Sequence, residues 1–323
     1  MNKILVAGGA GYIGSQTVRE LQRTEFRPVV FDNLSSGHRE AVGEVELVVG
    51  DLRDPESIRR IFEKHDFEAV LHFASLIQVG ESYANPRKYY LQNLVTSLNL
   101  LETALDAGVR RFIFSSSAAV YGGPRNIPLR EDHPLDPINP YGRTKEMVER
   151  ILRDYDRAHG LRYVSLRYFN AAGADPDGGM GERHDPETHL IPNILKAVLG
   201  QSPALSVFGT DFPTPDGTAV RDYIHVADLA AAHVLALRHL LDNGKSEVVN
   251  LGTNRGYSVK EVIDAAEKIT GRRVPREERP RREGDVPVLL ASKEKAERLL
   301  GWKLRYSDLE TILRTAWNWH RRA

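Results

Sequence analysis

The sequence predicts an α/β fold, a doubly wound parallel sheet followed by a smaller mixed α/β lobe at the C-terminus. Three observations carry this reading. Short apolar runs alternate with segments of helical period as far as Asn170. The first run ends in a cluster of glycines. After Asn170 the alternation stops. Alternating strand and helix patterns imply right-handed crossovers and a parallel sheet with helices on both faces.

In chain order, Lys3–Ala7 (KILVA) suits a strand buried on both faces. Val18 and Leu21 give Ser15–Arg23 a helical spacing. Further strands are expected at Pro28–Phe31, Glu46–Val49, Ala69–Phe73, Arg111–Phe114 and Tyr163–Arg167. Helices are expected at Pro55–Lys64, Tyr89–Ala107 and Tyr141–His159. Residues 171–188, rich in Gly, Asp, Pro and Glu, read as a long loop. A helix at Pro192–Leu199, a loop at Thr210–Gly217, a strand at Val220–Val226, a helix at Ala227–Leu241 and a strand at Val248–Leu251 follow. The remainder reads as mixed helix and loop. This gives a dinucleotide-binding domain over 1–170 and a substrate lobe over 171–323, with 220–241 returning to the first domain.

Composition narrows the function. The 323 residues carry 44 basic and 44 acidic side chains, a formal net charge of zero, which argues against nucleic-acid or membrane-surface binding by global charge. Cysteine is absent, so thiol catalysis, disulfides and cysteine-held metals are excluded. No apolar run reaches the roughly 18 residues of a membrane span, and the expected setting is cytoplasmic.

The glycines Gly8, Gly11 and Gly14 join the first strand to the first helix. Such a turn lets a pyrophosphate approach the backbone at a helix N-terminus, the Rossmann arrangement. Asp32 ends the second strand, 18 residues after Gly14. A carboxylate there accepts both ribose hydroxyls and repels a 2′-phosphate, which favours NAD over NADP. Asp51 ends the third strand near the expected adenine position.

Tyr141 and Lys145 form a Tyr-x-x-x-Lys pair, about one turn apart on one helix face. A free phenol has a pKa of about 10, and a nearby ammonium lowers it. Ser117, at the end of a serine-rich strand, supplies a hydroxyl to the same substrate oxygen. Such a set removes a proton from an alcohol while hydride leaves the same carbon.

Together these segments resemble the extended short-chain dehydrogenase/reductase family over essentially the whole chain. The resemblance rests on GGAGYIG at 8–14, DNLSSG at 32–37, HFAS at 72–75, VGES at 79–82, FSSSAAVYG at 114–122, NPYGRTK at 139–145, LRYFNAAG at 166–173, DGTAVRDYIHV at 216–226, VNLG at 249–252 and RREGD at 281–285. LRYFN, DGT with RDYIHV, and RREGD are more specific to the sugar-nucleotide epimerases of that family.

The resemblance implies C4 epimerisation of a UDP-hexose through a 4-keto sugar, with NAD kept bound. Tyr141 would be the acid/base, Lys145 its electrostatic partner and a ligand of the nicotinamide ribose, and Ser117 the hydroxyl partner. Beside Gly8, Gly11 and Gly14, the cofactor would lie against Tyr12, Ile13, Asp32, Asn33, Leu34, Ser35, Ser36, Gly37, Asp51, Leu52, Phe73, Ala74 and Phe169. Asn170, His189, Leu190, Ser206, Val207, Phe208, Arg221, Arg282, Asp285 and Leu289 would hold the UDP-sugar, as would Ser117 and Tyr141. Arginines suit a diphosphate because they donate paired, charge-assisted bonds. A homodimer is also implied, with the helix after Tyr89 contributing.

The chain departs from the family at several positions. Ala7 replaces the threonine usual before the glycines, Ala119 stands for a threonine, and Ile77 takes the place of a cofactor-contacting lysine in some members. His189 replaces an asparagine near the uridine or sugar, and Leu289 a tyrosine near the hexose.

Rival activities are a 4,6-dehydratase, a uronate epimerase or decarboxylase, and a plain alcohol dehydrogenase. Dehydration needs an acid and a base beside the serine, where this chain has Ala118 and Ala119. Turnover of UDP-N-acetylglucosamine is a further possibility, because Leu289 is smaller than tyrosine. A non-catalytic NAD-binding protein would need no Ser-Tyr-Lys set. His72 and His225 read as core histidines. His184 and His189 flank Asp185 and Glu187 without diagnostic ligand spacing, so no metal is expected. The basic run at Arg276, Arg279, Arg281 and Arg282 is interrupted by Glu277 and Glu278 and reads as a solvated loop with one or two phosphate ligands.

Overall fold

The fold was described from a computed structural model, which covers residues 2–124, 126–282 and 284–322. Its main sheet has seven parallel strands: β1 (Lys3–Ala7), β2 (Arg27–Asp32), β3 (Leu47–Val49), β4 (Phe67–His72), β5 (Arg111–Ser115), β6 (Arg162–Tyr168) and β7 (Glu247–Leu251). They lie side by side in the order β7-β6-β5-β4-β1-β2-β3. The order reverses between β1 and β4, and ligands of open α/β sheets bind in the crevice beyond such a switch point.

The strands read as continuous apolar runs because both faces are covered. Ile4 and Val6 of β1 pack with Val18 and Leu21 of the helix Tyr12–Gln22 and with Leu229 and Leu237 of the helix Val226–Leu241. On the opposite face Leu5 packs with Ile58 and Ile61 of the helix Pro55–Lys64, and with Val148 and Leu152 of the helix Pro140–His159. A separate core lies between the helices Leu190–Val198, Val259–Thr270 and Leu309–His320, around Ile194, Val262, Ile263, Ile312 and Leu313.

Three expectations need correction. The single helix over Tyr89–Ala107 is interrupted by a π-helical stretch at Tyr90–Val95 before an α-helix at Thr96–Asp106. The stretch carries buried Asn93, whose side chain bonds both backbone groups of Leu76 and donates to Thr144 Oγ1 at 3.1 Å. A widened turn commonly marks such a site.

Val220–Val226 is two strands rather than one. Val220–Arg221 pairs with Tyr257–Ser258 and Val288–Leu289, whereas Tyr223–His225 pairs with Asn170–Ala172. Asp222 between them is buried, and its carboxylate accepts the amides of Thr253 and Ala291. Finally, Arg276–Arg279 is a strand, parallel to Leu205–Phe208, not a loop. All four of its residues are exposed, so it lacks the apolar pattern that would have identified it.

Candidate active site

The glycine turn sits at the end of β1, on the switch point. A Cβ on Gly8 would lie 2.5 Å from the amide nitrogen of Ala74, and one on Gly14 would lie 2.3 Å from the carbonyl oxygen of Gly8. Only glycine permits this approach of backbone to backbone. Gly11 caps the helix Tyr12–Gln22 without a side-chain bond, and Ser15 N–H is the first to reach back, to the Gly11 carbonyl at 2.9 Å. The amides ahead of Ser15 belong to the first turn, where no intrahelical acceptor exists, and they form an anion site. Asp32 Oδ2 accepts the Ala10 amide at 2.9 Å and Oδ1 accepts the Leu34 amide at 2.8 Å. Leu34 has a positive φ of 57°, which curls residues 33–37 back over Ala10. These groups fit a dinucleotide: a backbone cradle for the pyrophosphate and a fixed carboxylate for a ribose.

Of the other proposed cofactor contacts, Asn33 and Asp51 meet at this loop, and the rest lie around it and further along the sheet edge. Asn33 donates to Asp51 at 3.0 Å, and Arg53 pairs with the same carboxylate at 2.7 Å. The Arg53 contact is the largest cause holding the Asp51 carboxyl well below its usual range. Leu52 is buried, and the Phe73 ring lies 4.7 Å from that of His233 at a tilt of 43°. Phe169 packs on the small cluster formed by Ala118, Val120, Tyr121 and Leu129. Tyr12 donates its hydroxyl to the Gly173 carbonyl at 2.6 Å, tying the glycine turn to the chain after β6.

Ser117, Tyr141 and Lys145 converge beyond β5. Asn139 Oδ1 caps the helix Pro140–His159 by accepting the Gly142 amide at 2.7 Å, with Pro140 at the first position. The cap fixes Tyr141 in the first turn. Ser117 Oγ accepts the Ala119 amide at 3.1 Å and sits near enough to Tyr141 to favour its phenolate. Lys145 is buried and donates to Ser75 Oγ at 2.9 Å and to the Ser115 carbonyl at 2.8 Å.

The electrostatics differ from the simple lysine-phenolate picture. Burial pushes the Tyr141 phenol up, and the Ser117 hydroxyl only partly offsets this. Lys145 is itself pulled down to about 7 by burial, against the opposing charge of Glu149. Its ammonium therefore gives Tyr141 little support in the absence of a further charge in the pocket.

Behind this trio lies a polar network that sequence reading missed. Ser116 donates to Glu149 at 2.6 Å, and Arg167 Nε donates to the same carboxylate at 2.9 Å. Arg167 Nη1 donates to Tyr121 Oη at 2.8 Å, and Tyr121 donates to Asn250 at 2.6 Å. Burial opposes the Arg167 charge, but Glu149 outweighs it and pushes the guanidinium up. Two signals could have revealed this pair. Glu149 stands four residues after Lys145 on the same helix face, and Arg167 is a charge within an apolar strand, which burial permits only with a partner.

The residues expected to hold the UDP-sugar separate into groups. Arg221, Arg282 and Asp285 meet: Asp285 lies 3.7 Å from Arg221 and accepts Arg282 Nε at 3.0 Å. Arg282 also lies over the half-exposed ring of Phe208, 4.9 Å from its centroid. Leu289 pairs with Arg221 in the sheet and packs beside Phe169 against the Ala118–Tyr121 turn. Asn170 donates to the Asp222 carbonyl at 3.0 Å. Val207 is buried in the lobe core, and Ser206 lies beside Glu277. Leu190 begins a helix whose first residues follow His189, and the His189 ring is turned onto Glu182.

Fold and cradle define a dinucleotide-binding α/β enzyme, and its cofactor is NAD. Residues 4–252 match the NAD dependent epimerase/dehydratase family, and the chain belongs to it. It is 51% identical over 321 residues to the UDP-glucose 4-epimerase of Rhizobium meliloti, covering 99% of this chain and 98% of that one. The structure of UDP-glucose 4-epimerase from Brucella ovis in complex with NAD is similar at a TM-score of 0.96 and 50% identity, covering 98% of each chain. The UDP-Glc/GlcNAc 4-epimerase of Campylobacter jejuni is similar at a TM-score of 0.87 and 43% identity, covering 100% of each chain. No helix among the described residues is long and apolar enough to cross a membrane.

Proposed function

We propose that the protein interconverts UDP-galactose and UDP-glucose by epimerisation at C4, through a transient 4-keto sugar. The observation that carries the reading is Ser117 beside Tyr141, with buried Lys145 one turn behind and bonded to Ser75 and Ser115, beyond the ends of β4 and β5. Tyr141 Oη takes the proton of the 4-hydroxyl, and Ser117 Oγ orients that hydroxyl. NAD, held by the glycine turn and Asp32, would supply the acceptor and donor of the C4 hydride. Lys145 anchors the base of the pocket to Ser75 and Ser115 and adds its own charge when protonated. Arg221 and Arg282 hold the diphosphate, so the sugar can turn over while the nucleotide stays fixed. Ala118 and Ala119, which follow Ser117, offer no acid or base for elimination of water.

The dinucleotide is bound by residues 1–170 together with 220–241, and the sugar nucleotide by the lobe over 171–323. The active unit is a cytoplasmic homodimer. Leu91 and Val95, one turn apart and 43% and 41% exposed, support the dimer as an apolar face, and light scattering would show twice the 36.3 kDa chain mass. Cytoplasmic placement rests on the family likeness.

The test is to incubate purified protein with UDP-galactose, without added NAD, and follow UDP-glucose by NMR. Formation of UDP-glucose to a fixed equilibrium supports the reading. A protein that binds NAD yet yields no UDP-glucose contradicts it.

A further inference from the structure

Four chemistry-bearing side chains outside the Ser-Tyr-Lys set converge in the loop after β6, in the pattern Glu182-x-His184-x-x-Glu187-x-His189. One donor atom from each lies within 4.8 Å of all the others, and no other such group of three or more occurs among the described residues. The carboxylates are deep, with side chains 3% and 2% exposed for Glu182 and Glu187.

Direct pairing satisfies only part of this group: Glu182 is hydrogen-bonded to His189 Nδ1, which leaves the polar atoms of the other two side chains. Glu187 Oε1 accepts the amides of Thr188 and His189, but Oε2 is buried with no hydrogen-bond partner. His184 Nδ1 is also buried, and it lies 3.2 Å from Glu182 Oε1 and 3.7 Å from Glu187 Oε1 without hydrogen-bond geometry. Those spacings fall just either side of the separation of two donors on one small cation, and the closer Glu182–His189 pair would have to open to admit it. Bonds of about 2.0–2.2 Å at tetrahedral angles set donors about 3.3–3.6 Å apart.

We propose that Glu182, His184, Glu187 and His189 form a structural zinc site. Two imidazoles and two carboxylates suit zinc better than magnesium or calcium, which take all-oxygen shells. Two carboxylates balance the dication when both imidazoles are neutral. Four protein donors leave no open position, so the ion ties structure together and does not activate water.

The place of the site says what it ties. His184 meets the ring of Tyr12 edge-on at 6.3 Å, and Tyr12 bonds Gly173 at the start of the same loop. The Glu182 carbonyl accepts Trp319 Nε1 at 3.2 Å from the C-terminal helix. Zinc here would lock the loop between the cofactor cradle and the helix Leu190–Val198. The inference does not depend on which sugar the enzyme turns over.

The test uses the full chain with NAD bound, stripped of metal by a chelator and titrated with zinc alone. One zinc per chain should bind, survive gel filtration and raise the melting temperature, as a ligand of the folded state does. Glu187→Gln and His184→Asn should each weaken zinc binding by at least the roughly 100-fold that loss of a supporting contact can reach. Both should lose the zinc-dependent rise in melting temperature. NAD content and far-UV circular dichroism check that each variant is folded, and Glu187→Gln decides if His184→Asn is not. A wild type that holds no stoichiometric zinc, or folded variants that bind zinc as the wild type does, would overturn the proposal.

Discussion

The Lys145 ammonium lies 5.9 Å from the centroid of the Tyr141 ring and gives its hydrogen bonds to Ser75 and Ser115. The two residues share a helix face, yet they do not touch head to head. Tyr141→Phe removes the proton acceptor with little change of volume, so kcat should fall by about 10²–10⁴-fold while NAD stays bound. Lys145→Met should also lose activity. It should at the same time stabilise the NAD-free protein, because it removes a buried group whose charge the fold opposes. That cost is present below pH 7 and fades as pH rises from about 7 toward 10.5, so the gain from Lys145→Met should shrink at alkaline pH. Unchanged turnover in Tyr141→Phe ends the proposed role of the phenol.

Much of this arrangement was legible in the sequence, for a physical reason. Strands buried on both faces must be apolar throughout, so β1 (Lys3–Ala7) could be read to the residue. The helix Pro55–Lys64 was legible because Asp54 caps it and proline opens it. Short strands in the lobe were not legible. Arg276–Arg279 is wholly exposed, and Val220–Arg221 contributes only two residues to its sheet. The positions of Tyr141, Lys145 and Ser117 followed from spacing, but the sense of the Tyr141 shift depends on burial, which no local pattern reveals.

Cofactor choice rests on Asp32, whose two oxygens are fixed by the amides of Ala10 and Leu34. A Cβ on Gly37 would lie 3.0 Å from Oδ1, so the backbone packs beside the carboxylate, whose charge would face a 2′-phosphate. Asp32→Ala should narrow the preference for NAD over NADP by at least about tenfold, since a charge-charge clash is removed. Calorimetric titration with both dinucleotides checks this. Equal affinities in the wild type would refute the assignment.

Burial keeps four histidines in the neutral form, His72, His225, His233 and His320, the first three with the larger shifts. Burial pulls His72 down to about 3, and His225 and His233 to about 4. Each therefore binds its proton in the unfolded chain first, below the ordinary value of 6.5. Their contribution to stability is complete above pH 6.5 and is lost as pH falls toward 4, by about 1.4 kcal/mol per pH unit for each group. The share of the urea midpoint set by these histidines should be level from pH 8 to 7 and drop steeply below about pH 6. His233→Leu should reduce that slope by about one proton; an unchanged slope would show that His233 is not protonated on unfolding.

Leu289 pairs in the sheet with Arg221 and packs beside Phe169, and the proposed function puts the hexose beside it. Leucine leaves more space there than tyrosine, and the acetamido group of UDP-N-acetylglucosamine needs it. The wild type should epimerise both the plain and the N-acetylated sugar. Leu289→Tyr should lower kcat/KM for the N-acetylated sugar alone, by the roughly 10–200-fold that a few atoms of apolar wall can supply. Equal loss on both sugars would show that Leu289 is no gate.

The central claim is that hydride leaves C4 and returns to the same carbon, with Tyr141 handling only the hydroxyl proton. UDP-galactose deuterated at C4 tests it most directly, incubated in ordinary water with the purified protein and no added NAD. The account predicts UDP-glucose with the deuterium still at C4. Loss of the label to solvent would mean that C4 gives up a proton instead, and would contradict the mechanism.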